Sequence, residues 1–218
     1  VKPSESAFEN SAGKLLVEAM AAAIQKNAAW LSEIDGAIGD GDHGVNMNKG
    51  FSLALDRLQG RAWDLTEGLK VLSQVLLDEI GGAMGPLYGV FFLALAEKSQ
   101  DHTVIDDEVF GSMLASAQKS LKDLGEAEVG DKTLMDTLSP AIESFEEARL
   151  SGAPFRQSLD ALMAAAEKGK ESTKSLVAKR GRASRLGERS RGTLDAGAVS
   201  CWLLLQAMAQ SSQRLLAS

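Results

Sequence analysis

Apolar positions recur along this chain at the spacing of helices, and stretches that alternate apolar with polar through β-branched residues are missing. Ser6 and Glu9 have the spacing of a capping box, which opens an alanine-rich helix to about Leu31. A second helix is predicted over Asn46 to Leu58, with Phe51, Leu55 and Leu58 on one face. A third runs over Thr66 to Ile80 and stops at Gly81-Gly82. Pro86 suits the first turn of a fourth helix that reaches about Lys98. Asp106 to Leu124, closed by Gly125, gives a fifth, and Thr133 to Leu150 a sixth, kinked at Pro140. Pro154 to about Val177 gives a seventh, and Ala196 to Leu216 an eighth with Asp195 as its N-cap. With no compositional break, this pattern predicts an all-α fold, in which residues 1–218 form a single-domain antiparallel bundle of eight helices.

Composition narrows the function. The 218 residues, 44% apolar, suffice for a sizeable core. A net charge of −7 argues against a nucleic-acid partner. The single cysteine, Cys201, excludes an intramolecular disulfide and sits in an apolar run, as a buried inert thiol would. The longest near-apolar run, Pro86 to Ala96, falls short of the roughly 20 residues that a membrane span needs. It reads as a buried helix, and the expected location is cytoplasmic.

The stretch "IGDGDHGVNMNKG" at residues 38–50 contains a literal G-x-G-x-x-G at Gly39, Gly41 and Gly44. A dinucleotide fingerprint needs a strand before those glycines, but a helical segment precedes them. Asp40 and Asp42 would also repel a bare pyrophosphate. An EF-hand needs a glutamate at loop position 12, where Asn46 or Phe51 stands, and no Walker loop occurs anywhere. Asp35, Asp40 and Asp42 instead offer all-oxygen ligands for hard cations. Three carboxylates could hold two Mg²⁺ ions, and such ions turn an acidic loop into a phosphate receptor. On spacing alone, an Asp/Gly-rich surface turn explains these residues equally well. His43 fits a nucleotide contact, a metal ligand or a turn, and hard ions disfavour it as a ligand.

Other junctions carry weaker signals. Gly81, Gly82 and Gly85 precede a helix N-terminus, which suits a phosphate or simply a tight turn. In "GEAEVGDKTLMD", Asp131 or Thr133 is expected to cap the sixth helix and Lys132 to be exposed. Lys179 to Gly192 forms a long connection of net charge +5, against −12 over the rest of the chain. One or two of its arginines are expected to reach a phosphate, and the others to meet solvent or an acidic partner. His102 is expected to be exposed in a polar connection.

Taken together, "DGAIGDGDHGVNMNKGF", "GGAMGPLYGVFF", "GDKTLMD" and "GRASRLGERSRGTLDAGA" resemble the nucleotide-binding L subunits of dihydroxyacetone kinases, over nearly the whole chain. The resemblance implies a barrel of eight antiparallel helices with ADP or ATP among the loops at one end. It implies two Mg²⁺ ions on Asp35, Asp40 and Asp42. It places His43, Gly44, Val45 and Asn46 against the nucleotide, Ala83 and Met84 at its phosphates, and Gly125 and Leu134 around its base. Arg182 and the turn Asp195, Ala196, Gly197 complete the implied site. Met84 departs from the family, which usually has serine there, and Leu134 and Ala196 are milder departures.

The implied reaction transfers a phosphoryl group to a short ketose held by a separate K subunit or domain. Arg182 is the candidate catalytic cation, and positioning and metal charge leave little acid–base work for the protein. Either ATP exchanges, or bound ADP is rephosphorylated by a phosphotransferase-system protein. A non-catalytic, nucleotide-dependent module that binds a regulator is the alternative. No nucleic-acid or membrane partner is expected.

Overall fold

The computed structural model describes residues 6–125 and 127–217. Eight α-helices carry the fold among these residues: α1 (Lys14–Ile38), α2 (His43–Leu58), α3 (Leu65–Glu79), α4 (Met84–Ser99), α5 (Asp107–Gly125), α6 (Met135–Leu150), α7 (Phe155–Ser172) and α8 (Ala196–Leu215). Each packs on the next, and α8 packs back on α1, so the bundle closes into a ring. The interior holds two aromatic clusters. Phe51, Phe91 and Phe92 meet edge to face in one, and Phe110, Phe145 and Phe155 fill the other. Cys201 is buried, as its apolar run predicted. No helix among the described residues is long and apolar enough to cross a membrane.

Alternating in direction around the ring, the helices put the N-termini of α2, α4, α6 and α8 at one end. The opposite end is closed by two short strands, β1 (Ala7–Glu9) and β2 (Val104–Asp106), paired antiparallel with Phe8 opposite Ile105. Asn10 pins this end. Its amide donates to Thr66 Oγ1, to the Ser99 carbonyl and to the His102 carbonyl at 2.8–3.1 Å.

Several predicted boundaries move. The Ser6/Glu9 capping box does not form, because Ala7–Glu9 pairs as a strand that buries Phe8 and the helix starts only at Lys14 after a 3-10 turn. That helix continues to Ile38, so Asp35 rides on its last turn. Helix α2 begins three residues before Asn46, because Asp35 Oδ2 accepts the His43 N–H at 3.2 Å. Helix α6 runs through Pro140. The Asp136 carbonyl that Pro140 cannot engage lies where α7 comes closest, and a β-carbon on Gly169 would overlap it. Helix α7 stops at Ser172 and gives way to a 3-10 turn at Thr173–Ser175. The expected loop at residues 179–192 is largely 3-10 turns over Arg182–Ser190, broken at Gly187.

Candidate active site

The glycines and aspartates of residues 35–44 form one tight structure. Gly41 has φ 78°, and a β-carbon on Gly44 would overlap the Ala28 carbonyl oxygen of α1. The glycine at 44 therefore lets the start of α2 lie directly against the α1 backbone. That contact returns the chain toward Asp35, and Asp35, Asp40 and Asp42 bring carboxylate oxygens within 4.8 Å of one another. Asp35 is half-buried, while Asp40 and Asp42 are exposed. Arg182 pairs with Asp40. Three clustered carboxylates with all-oxygen donors, open to solvent on one side, fit a hard divalent cation that keeps some of its waters.

A two-lobed cavity adjoins the cluster. The acidic lobe, about 190 Å³, is bounded by the three aspartates, Asn46, Gly81, Gly82 and Arg182. The larger lobe, about 310 Å³, is walled by Leu87, Leu121, Ala127, Leu134 and Met135, with Gly125 at its edge. The lobes share His43, Ala83, Met84, Arg180, Asp195 and Ala196. The first residues of four helices, His43, Met84, Met135 and Ala196, all line the larger lobe. Four helix N-termini thus direct partial positive charge at one space, an arrangement that favours an anion.

Electrostatics at the shared wall are set by burial. Burial lowers the His43 pKa to about 4, against the opposing pull of Asp35, so the ring is neutral near pH 7. Its Nε2 lies 2.9 Å from Ser200 Oγ, which is 2.7 Å from the Tyr88 hydroxyl. Burial also holds the Tyr88 hydroxyl protonated, well above its usual range. Asp195 caps α8 by accepting the Ala198 N–H at 2.8 Å. Burial raises its carboxyl to about 7, only partly countered by that bond and by Lys132.

Of the residues expected at the site, Asp35, Asp40, Asp42, His43, Asn46, Ala83, Met84, Gly125, Leu134, Arg182, Asp195, Ala196 and Gly197 line the cavity. Gly44 and Val45 do not: Gly44 is packed on α1, and Val45 is exposed to solvent. The largest correction is Lys132, which is 2% exposed rather than a surface residue. Its φ of 61° turns the side chain inward, where Nζ donates to three backbone carbonyls. Thr133 caps α6 as expected, its Oγ1 accepting the Met135 N–H at 3.2 Å, and Asp131 does not. Asp136 reaches back, with Oδ2 accepting the Thr133 N–H at 2.7 Å and Oδ1 the Gly130 N–H at 2.6 Å. Asp131 instead meets Lys179 and Arg180 at 3.3 and 3.4 Å. Arg180 on the cavity wall was one of six equivalent-looking cations in sequence, and only the fold singles it out.

Comparison with known proteins agrees with the all-helical fold. The DAK2 domain family model matches residues 37–210. The chain is 35% identical over 202 residues to a Listeria innocua protein named PEP-dependent dihydroxyacetone kinase 2, ADP-binding subunit DhaL, covering 91% of this chain and 93% of that one. It is 37% identical to the Escherichia coli ADP-binding subunit DhaL, over 84% of this chain and 88% of that one. The solved dihydroxyacetone kinase of C. freundii, in complex with AMP-PNP and Mg²⁺, superposes with a TM-score of 0.65 at 26% identity, over 92% of this chain and 33% of that one. The four sequence blocks, the eight-helix ring and these matches agree: the chain belongs to the DAK2 domain family.

Proposed function

We propose that this chain is the nucleotide-carrying subunit of a kinase that phosphorylates a short ketose. One observation carries this reading: a three-carboxylate cluster opens into the cavity that the first residues of four helices also line. Neither feature alone selects a nucleoside diphosphate. The helix ends favour phosphate, the carboxylates oppose it unless cations intervene, and the apolar lobe suits a base. Asp35, Asp40 and Asp42 would hold two Mg²⁺ ions, which supply charge neutralisation of the phosphates when bound.

The protein's own groups then orient and exclude. The backbone at Ala83 and Met84 meets the phosphate end, and neutral His43, fixed by Ser200, forms a wall without adding charge. Arg182 faces the acidic lobe and is placed to stabilise negative charge on a transferring phosphoryl group. Phosphoryl transfer of this kind rests on positioning and charge and asks little acid–base work of the protein. The ketose is held by a separate K subunit or domain, and the site of action is the cytoplasm.

Relatives named PEP-dependent, ADP-binding subunits favour the version in which ADP stays bound and is rephosphorylated in place by a phosphotransferase-system protein. The test is to purify the protein, dialyse it, and assay retained nucleotide and phosphorylation of dihydroxyacetone with a K subunit and either donor. ADP that survives dialysis, with turnover from the phosphotransferase donor, is expected. Absence of magnesium-dependent ADP binding by calorimetry would overturn the reading.

A further inference from the structure

The one non-glycine residue with a left-handed φ among the described residues is Lys132, and it is also a buried cation beside the cavity. Both features are costly. A left-handed backbone strains a residue with a β-carbon, and a buried ammonium must have each of its protons accepted. The structure meets the second demand fully. Lys132 Nζ donates to the Thr173 carbonyl at 2.6 Å, the Thr193 carbonyl at 2.6 Å and the Leu176 carbonyl at 3.3 Å.

The placement of those acceptors is what matters. Thr173 and Leu176 lie where the chain leaves α7, and Thr193 lies where it returns to α8. A single ammonium therefore grips both feet of the 176–193 segment, which carries Arg180 and Arg182 over the cavity. Neighbouring bonds close the same base. The Gly192 N–H donates to the Lys174 carbonyl at 2.8 Å, the Lys179 N–H to the Asp131 carbonyl at 3.1 Å, and the Asp195 N–H to Thr173 Oγ1 at 3.1 Å.

We propose that Lys132 is a positioning residue for phosphoryl transfer: its ammonium latches the arginine segment over the phosphate end of the cavity. The proposal rests on the kinase reading for its effect on turnover, but the latch itself can be read without any activity. Removing the ammonium takes away the three bonds that join both feet to Lys132, leaves the base of the segment to the neighbouring backbone bonds alone, and loosens Arg182, while the aspartate cluster stays in place. Transfer should therefore suffer far more than nucleotide binding.

Two variants separate this from a general loss of structure. Lys132→Met keeps the apolar stem and removes the ammonium. Lys132→Gly also relieves the strained backbone and leaves space for a small amine. In the full chain with its K subunit, both are expected to lose at least about 30-fold in transfer rate per bound nucleotide, with ADP–Mg²⁺ affinity changed less than about threefold. Limited trypsin digestion should cut within residues 179–191 about tenfold faster than in the parent protein, ahead of cleavage in the helices. Ethylammonium should restore transfer to Lys132→Gly and not to Lys132→Met, whose stem fills the space. Transfer within about threefold of the parent in both variants, or an unchanged trypsin pattern, overturns the proposal. So does a loss of rate matched by an equal loss of ADP binding, or one that ethylammonium fails to restore. Failure of the parent protein to bind ADP or phosphorylate the ketose would instead remove the kinase reading and leave the trypsin result to decide the latch.

Discussion

Removal of one carboxylate from the acidic cluster gives the sharpest test of how the site holds phosphate. Asp40 is the informative choice, because it lies on the exposed side, pairs with Arg182 and caps no helix. At an ordinary magnesium–oxygen separation of about 2.1 Å, one carboxylate charge attracts a divalent ion by about 4 kcal/mol even at the dielectric constant of water. The Arg182 pair that a metal would displace is surface-exposed and offsets at most about 1 kcal/mol. Asp40→Ala should therefore weaken magnesium-dependent ADP binding by about 3–4 kcal/mol, a hundred- to thousandfold rise in Kd.

The same geometry predicts the opposite sign for the metal-free protein. Asp35 and Asp42 lie within 4.8 Å of Asp40, so each repels it by about 0.9 kcal/mol in a water-like medium. Losing that repulsion balances or exceeds the loss of the Arg182 pair, so stability without metal should be unchanged or slightly raised. Calorimetric titration of ADP with and without magnesium, alongside thermal melts in chelator, reads both quantities. An ADP–Mg²⁺ affinity within about fivefold of the parent would refute the metal assignment. A large fall in the chelated melting temperature would show that Asp40 holds the fold instead.

Two further outcomes follow from the shared wall of the cavity. Met84→Ser adds a hydroxyl at the first residue of α4, and a hydrogen bond to a charged phosphate is worth about 1.5–3 kcal/mol, so transfer should rise at least about tenfold; an unaltered rate in the coupled ketose assay would show that the hydroxyl is dispensable. Asp195 has a folded pKa raised to about 7 from 3.8, so its stability contribution is full below about 3.8 and lost as pH rises through about 7. Asp195→Asn keeps a good N-cap and should abolish that pH dependence in denaturant titrations across the window; a parent and variant that lose stability in parallel would refute the raised pKa.

The fold was legible because the helical spacing repeats in every segment, Pro86 and Pro154 fall at helix starts, and Pro140 falls at a position α6 tolerates. Boundaries failed where a residue from elsewhere decides them. Helix α2 starts early because a carboxylate on α1 caps it, and the first helix starts late because Phe8 finds Ile105 across nearly a hundred residues. Local spacing contains neither partner. The aspartate cluster could be read because its members are close in sequence. Lys132 could not, because its acceptors lie 41 to 61 residues downstream and an isolated lysine in a polar loop is ordinarily solvated.

That contrast bears on how the site is built. The residues close in sequence, Asp35 to Asn46, form the acidic side, which would by itself repel a nucleotide. The cationic side is assembled from distance: four helix ends brought together by ring closure, and an arginine segment whose feet meet at Lys132. Arg182 reaches Asp40 across the cavity, so the two sides touch even without a ligand. A nucleotide with its metals would have to part that contact, placing cations against the aspartates and phosphate against the arginine. Both halves are then satisfied only when metal and phosphate arrive together, so ADP without magnesium, or magnesium without ADP, should each bind far more weakly than the pair.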